Sequence, residues 1–439
     1  MASPPSGPVT PPPGAAGLGA QAVLVCAFIA SAQMTWGVIV PALPVLVEQF
    51  GIGVGSIGLL IASFAIGRVI ANVPAGLALR RVPPRPFLQI VSVLLVLVTA
   101  VTGLLPTEPL LLAARLVAGL LGGAAVTIGF AVLVAGAPPS RRGRTMATAT
   151  VVQMSGSAVG ALIGGAAVTA WGVQAAFALA VVPLVATLVV DLVRPARHYW
   201  SAFVVAHAAE ARADGAGGDG PAGAGAGADG RRPKGAALRG SPGLSGSRGS
   251  RGLVVGLVAI SFATFFARFA GEQGLIPVLA YSTGGLTPLA LGVAMAAGTA
   301  VSIAALPLVG RAVDRGARLR ILIPAGVGAA AAVLLFPLVT APLAFAAVLV
   351  AYYLATSVAG VVPNVLTSER FAPATAGAVV GLTRTAGDIG AAAGPLLVFA
   401  LADSFGNVPA VAAIAVMLLA ALAILAPAAA TKRADSTPK

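Results

Sequence analysis

AGAVVGLTRTAGDIGAAAGPLLVFALA, residues 376–402, is long and apolar enough to cross a lipid bilayer, yet it carries Arg384 and Asp388. About 20 apolar residues span the hydrocarbon core, so both charges fall well inside it. Each costs about 2.5–3.5 kcal/mol on insertion scales. Such groups persist where they pair, face water or bind something. At a spacing of four they share a helix face and are placed to pair. Gly387, Gly390 and Gly394 admit a neighbouring helix at close range, and Pro395 interrupts the backbone ladder. The stretch reads as one wall of a substrate cavity or, equally, as a structural ion pair between packed helices.

The rest of the chain has the same character. Of 439 residues, 58% are hydrophobic and 9% charged, against about 25% charged in a soluble domain. This is the composition of a polytopic membrane protein. The single cysteine, Cys26, excludes a disulfide framework or a thiolate metal site. The two histidines, His198 and His207, lie in a polar stretch, which argues against a histidine metal centre or Ser-His-Asp chemistry in the membrane. No G-x-x-x-x-G-K-[ST] loop is present, so an ATP-driven pump is disfavoured. The expectation is a protein that is not an enzyme, with no cofactor and no metal.

Cutting at polar, Gly and Pro gaps leaves twelve apolar segments. The first six are Leu18–Val47, Ser56–Leu79, Pro86–Leu105, Pro109–Gly136, Thr145–Ala170 and Val173–Val193. The second six are Gly252–Tyr281, Leu286–Val309, Ile321–Val339, Pro342–Leu366, Ala376–Ala402 and Val408–Ala426. The predicted organisation is a disordered tail (1–17), a six-helix bundle (18–193), a disordered Gly/Ala/Arg-rich linker (194–251), a second six-helix bundle (252–428) and a polar tail (429–439).

Basic residues set the topology. All except Arg68, Arg115, Arg268 and Arg384 fall in the linker, the C-terminal tail or alternate loops, and the opposite loops carry only Glu48, Glu108 and Asp403. Positive loops stay cytoplasmic, which places both termini and the linker inside. The net charge of +14 is thus a topology signal and a lipid-headgroup contact, not a nucleic-acid patch. The predicted location is the cell inner membrane, multi-pass.

The two halves repeat. Gly76 and Gly310 differ by 310 − 76 = 234 positions, and Gly58/Gly292, Gly156/Gly390 and Gly160/Gly394 share that offset. A constant shift over several landmarks argues for two homologous bundles, with a substrate site between them near mid-depth.

At these residues the chain resembles the major facilitator superfamily, and within it the twelve-helix drug:proton antiporter branch. The resemblance covers both bundles but not the linker or tails. The family's loop motif G-x-x-x-D-R-x-G-R-R appears after segment 8 as Gly310, Asp314, Arg315, Gly316 and Arg318, one residue short. After segment 2 only Gly76, Arg81 and Arg85 remain, with Arg80 at the acid's position and Pro83 at the glycine's. In the family this acid latches the cytoplasmic helix ends, a role that here falls to Asp314. The R-x-x-Q-G motif appears as Arg115 to Gly119 with Ala118 for glutamine, and the resemblance implies a part for Arg115 in proton transfer. The antiporter motif G-x-x-x-G-P-x-x-G-G appears as GSAVGALIGG, Gly156 to Gly165, with Gly160 and Gly164 kept and Ala161 replacing proline. Segment 11 keeps Gly394-Pro395.

The fold expected is all-α, twelve transmembrane helices in two pseudo-symmetric six-helix bundles. The function expected is secondary active transport by alternating access, with proton-coupled export of a drug or small metabolite. The alternatives are an importer or uniporter of a small organic anion and, outside transport, a membrane receptor or enzyme. Proton-coupling candidates are Asp388, then Glu272, with Arg384, Arg268 and Arg115. Arg268–Glu272 repeats the four-residue spacing of Arg384–Asp388, and Glu272 is placed either to gate or to close the outer mouth. Cavity candidates are Gln33, Trp36, Arg68, Tyr352 and Asn364, with Tyr281, Tyr353 and Phe265 as further wall residues. Arg68 has no acid nearby in sequence. Asp191, at the end of segment 6, is expected to be solvated. The partners expected are a small-molecule substrate, protons and the lipid bilayer, with no nucleic acid, and the monomer is the expected working unit.

Overall fold

The computed structural model describes residues 15–49, 51, 53, 55–79, 81–105, 107–138, 141–205, 248–371 and 373–430. Among the described residues, twelve helices are long and apolar enough to cross a membrane. The first six are α1 (Gly19–Gln49), α2 (Gly55–Ala78), α3 (Pro84–Thr102), α4 (Glu108–Gly136), α5 (Arg144–Trp171) and α6 (Val173–Val193). The second six are α7 (Arg251–Ser282), α8 (Pro288–Asp314), α9 (Arg318–Leu335), α10 (Pro342–Thr367), α11 (Ala378–Phe405) and α12 (Asn407–Ala430). Each coincides with one apolar segment of the sequence to within a few residues. In lipid every backbone N–H and C=O must be satisfied within the chain, so an apolar run of this length is helical. No strand occurs among the described residues. An even number of crossings puts the start of α1 and the end of α12 on one side, here called the termini face; the other is the distal face.

The repeat is visible in the backbone. Gly51 (φ 62) and Gly285 (φ 61), which follow α1 and α7, are 234 apart (285 − 51). So are Gly172 (φ 86) and Gly406 (φ 85), which end α5 and α11. These left-handed conformations penalise any Cβ, and glycine occupies them in both halves.

Small residues bring the helices together. A Cβ on Gly156, Gly160 or Gly164 of α5 would press on the carbonyls of Ala30, Met34 and Val38 in α1. The three contacts keep one register along two parallel helices. In the second half, Gly390 and Gly394 of α11 lie over the carbonyls of Phe262 and Phe266 in α7. Gly67 of α2 and Gly119 of α4 rest on each other's backbone in the same way, at Leu116 and Phe64. Without a hydrophobic driving force between helices in lipid, this close van der Waals approach holds the bundles together.

Two expectations are corrected at the termini face. Residues 197–205, in the stretch expected to be disordered, are helical, with Ala196, Tyr199, Trp200 and Phe203 buried. The His198 N–H donates to Gln21 Oε1 at 2.8 Å, and the Tyr199 ring lies against Gly136 at the end of α4. Burial, with the Cys26 thiol close by, raises the Tyr199 hydroxyl above its ordinary pKa. Aromatic residues at i, i+1 and i+4 give this short helix one apolar face, a signal hidden by the Gly/Ala-rich composition that follows. Residues 206–247 of the linker and both tails beyond 15–430 lie outside the described residues. Asp191 is not solvated but fully buried. It accepts from Arg85 Nε at 3.0 Å and Gln89 Nε2 at 2.8 Å, both on α3, and its backbone carbonyl accepts from Arg85 Nη2 at 2.9 Å. A buried carboxylate in a membrane bundle needs such partners.

Candidate functional site

The halves meet along two helix pairs, α2 with α11 and α5 with α8. In α2, a Cβ on Gly58 would come within 2.9 Å of the Pro395 carbonyl of α11. In α8, a Cβ on Gly292 would come within 2.5 Å of the Ala161 carbonyl of α5. Both residues shift by 234 (292 − 58 and 395 − 161), so the two contacts are one contact related by the pseudo-twofold. Nearer the distal ends, Asp403 Oδ2 lies where a Gly55 Cβ would stand, and the equivalent Thr169 Oγ1 accepts from the Leu289 N–H at 3.1 Å. Tyr281 of α7 donates its hydroxyl to the Pro41 carbonyl of α1 at 2.6 Å. The distal face is therefore closed across the seam. Towards the termini face, a Cβ on Gly76, Gly310 or Gly381 would meet open space. Arg81, Asp314 and Arg315 are exposed there. Asp314 forms no ion pair among the described residues.

A chain of side chains ends in a polar contact across the seam. Thr127 Oγ1 of α4 donates to Asn72 Oδ1 of α2 at 3.3 Å. Asn72 Nδ2 donates in turn to Asp388 Oδ2 of α11 at 3.3 Å. Arg68, one turn before Asn72, lies within Coulomb range of Asp388, with Arg268 and Arg384 as like-charged neighbours. The acid whose field reaches Arg68 thus comes from the other half of the chain, and no ion pair among the described residues joins the two. The pairing of Arg384 with Asp388 is corrected here. The ion pairs among the described residues are Arg85–Asp191, Arg268–Glu272 and Arg318–Glu369, and Arg384 is exposed. A four-residue spacing permits a pair, but the side chains that α2 presents across the seam take the carboxylate instead.

Glu272 sits in an unusual backbone. Within α7, Ala267–Leu275 is wound as a π-helix. Such insertions are rare and concentrate at functional sites. Gly274 in this segment lets Ile61 of α2 and Phe399 of α11 close in. Arg268 Nε stands 3.9 Å from Glu272 Oε1, a loose pair, and Tyr353 of α10 hydrogen-bonds the same carboxylate. Tyr352, the cavity candidate, is fully buried instead: its hydroxyl donates to the Ala267 carbonyl at 3.5 Å and its ring meets Phe336 edge-on. Tyr353 is the one that reaches the acid.

Arg115 does not join either acid. It is 2% exposed, with its guanidinium carbon 4.8 Å from the Trp36 ring centroid and 4.7 Å from that of Phe64. Trp36 and Phe64 stack at 4.1 Å, and Trp36 also faces Phe269 of the second half at 6.1 Å. Gln33 is buried on α1. Asn364 is exposed, its amide donating to Gly360 of its own helix at 3.0 Å, and no hydrogen bond among the described residues joins it to the cluster. Asn72 and Thr127 were not singled out in the sequence. The available signal was an amide one turn after Arg68 in an otherwise apolar segment.

Comparison with known proteins agrees with this architecture. Residues 24–395 and 257–439 match the profile of the Major Facilitator Superfamily. No curated protein sequence matches the chain. Among solved structures, a bacterial homologue of the human lysosomal transporter Spinster, inward-facing and occupied, superposes with a TM-score of 0.67 at 15% identity, covering 96% of this chain and 98% of that one. A D-xylose–proton symporter gives 0.66 at 16% identity, covering 92% and 96%. The human organic anion transporter MFSD10 gives 0.62 at 17% identity, covering 95% and 100%. At these identities the likeness is one of fold. With the family match over most of its length and two bundles related by a 234-residue shift, the chain belongs to the major facilitator superfamily and is a multi-pass membrane transporter, not an enzyme.

Proposed function

We propose that the chain is a proton-coupled exporter of a small metabolite or drug, working as a monomer in the cell inner membrane. The observation that carries this reading is the Thr127–Asn72–Asp388 chain with Arg68 beside it. It places a carboxylate at the boundary between a closed distal face and an open termini face. Asn72 and Asp388 lie on the termini side of the Gly58–Pro395 contact, so rocking the halves to open the distal face changes the geometry of the Asn72–Asp388 bond. Protonating Asp388 removes its attraction to Arg68 and changes the cost of that step, which is how proton binding biases alternating access. Glu272, held by Tyr353 and loosely by Arg268, is the second titrating candidate. The positive-inside pattern puts the termini face, the 194–251 linker and both tails in the cytoplasm. The domain division at 18–193 and 252–428 follows the repeat. The antiporter branch is favoured by Gly156, Gly160 and Gly164, each resting on an α1 carbonyl.

The test is Asp388→Asn in proteoliposomes, with yield and melting monitored. The expected result is loss of transport driven by a pH gradient, with substrate counterflow retained. Unchanged gradient-driven transport would exclude Asp388 from coupling. A second reading, import or uniport of a small organic anion, is favoured by the excess of guanidinium over carboxylate at the seam. Counterflow of anions under an imposed gradient of either sign separates the two.

A further inference from the structure

Arg115 is a buried cation without a counter-charge. Its Nε and Nη2 have no hydrogen-bond acceptor, and neither has Nε1 of Trp36, against whose ring it is stacked. No ion pair among the described residues includes Arg115. The helices that enclose it cannot supply an acid at its level. Between residues 19 and 47 α1 has none, offering the neutral Gln33; α2 has none at all; and Glu108 of α4 is seven residues away, about 10 Å along the axis. Two aromatic faces return part of the desolvation cost of a guanidinium. They accept no in-plane hydrogen bond, and a buried charge left otherwise uncompensated is strongly destabilising. Buried donors without a protein acceptor mark a place that a water or an ion can complete. The packing shows why the site is held in place. Gly67 and Gly119 bring α2 and α4 into backbone contact, which sets Phe64 over Arg115, and the Trp36 ring also stacks towards Phe269 across the seam.

We propose that Arg115 and Trp36 form a binding site for a small monovalent anion, enclosed by α1, α2 and α4 at the seam. The guanidinium and the indole N–H donate to one oxyanion or halide, and the aromatic walls exclude water around it. The same chemistry fits a free halide or formate and the carboxylate end of an organic cargo. The second source rests on the transport reading above, whereas the first holds for a carrier of either direction. Because Trp36 borders the seam, the anion enters when the halves part.

The test uses the full-length protein in nanodiscs carrying Trp171→Phe and Trp200→Phe, which leaves Trp36 as the one tryptophan of the three. Iodide is titrated against gluconate at constant ionic strength. The expected result is saturable quenching of Trp36, relieved by formate, with half-saturation weakened by about tenfold or more in Arg115→Gln, the loss expected for a hydrogen bond to a charged group. Thermal unfolding of the unsubstituted chain in chloride against gluconate is the second readout, and serves even if Arg115→Gln does not fold. A higher melting temperature in chloride supports the site. Displacement of iodide by formate alone identifies a free ion as the occupant; displacement by benzoate as well identifies a carboxylate-bearing cargo. Quenching that rises linearly with iodide, together with melting that is identical in both salts, overturns the proposal and leaves water as the acceptor.

Discussion

Gly58 of α2 packs on the Pro395 carbonyl of α11, and the contact recurs at Gly292 and Ala161 in the other helix pair. The same backbone approach closes the distal face twice, once on each side of the pseudo-twofold. A Cβ added at Gly58 would also press on the Phe399 side chain of α11, and one at Gly292 on the backbone of α5.

Gly58→Ala and Gly292→Ala should therefore each wedge the distal face apart. Overpacking of this kind costs about 1–3 kcal/mol, and a coupling of that size shifts a two-state equilibrium by roughly 5- to 150-fold. Spin-label distances between the distal ends of α2 and α11 are expected to lengthen in Gly58→Ala. Distances at the termini face should shorten in the same variant. Unchanged distances in both variants would mean that these contacts do not limit opening.

The Asn72–Asp388 bond should show as a coupling between the halves. Transmembrane hydrogen bonds average about 0.6 kcal/mol and reach about 1.7. A double-mutant cycle of Asn72→Ala and Asp388→Asn, read by reversible unfolding in detergent, is expected to fall in that range. Additive single effects would place the bond outside the energetics of closure.

Tyr353 and Tyr352 should separate by function. Tyr353→Phe removes the hydroxyl that bonds Glu272 and is expected to move the midpoint of the pH profile of transport. Tyr352→Phe loses a bond to a main-chain carbonyl, so about 0.5–1.5 kcal/mol of stability, and should leave the midpoint in place. Identical profiles for both variants and the parent would remove Glu272 from the titrating step.

The Arg85–Asp191 pair predicts an asymmetry of rescue. Asp191 is fully buried and Arg85 partly exposed. Arg85→Met strands the carboxylate and is expected to cost about 3–5 kcal/mol. Adding Asp191→Asn should recover much of that loss in thermal unfolding. A double variant no more stable than Arg85→Met would show that the arginine acts through packing alone.

By itself the sequence determined the twelve membrane helices, their repeat and the side on which positive charge gathers. Each of these is written along the chain: hydropathy is summed over a single segment, and offsets such as 310 − 76 are read without knowing any contact. Tertiary structure alone decided which charges meet. Arg384 and Asp388 are four apart and do not pair; Asn72 reaches Asp388 from the other half; Asp191 is buried by α3; Arg115 stacks on two rings and finds no acid. Each outcome depends on how one helix is rotated against another, and that rotation is set by which glycines of distant segments come to lie on which carbonyls.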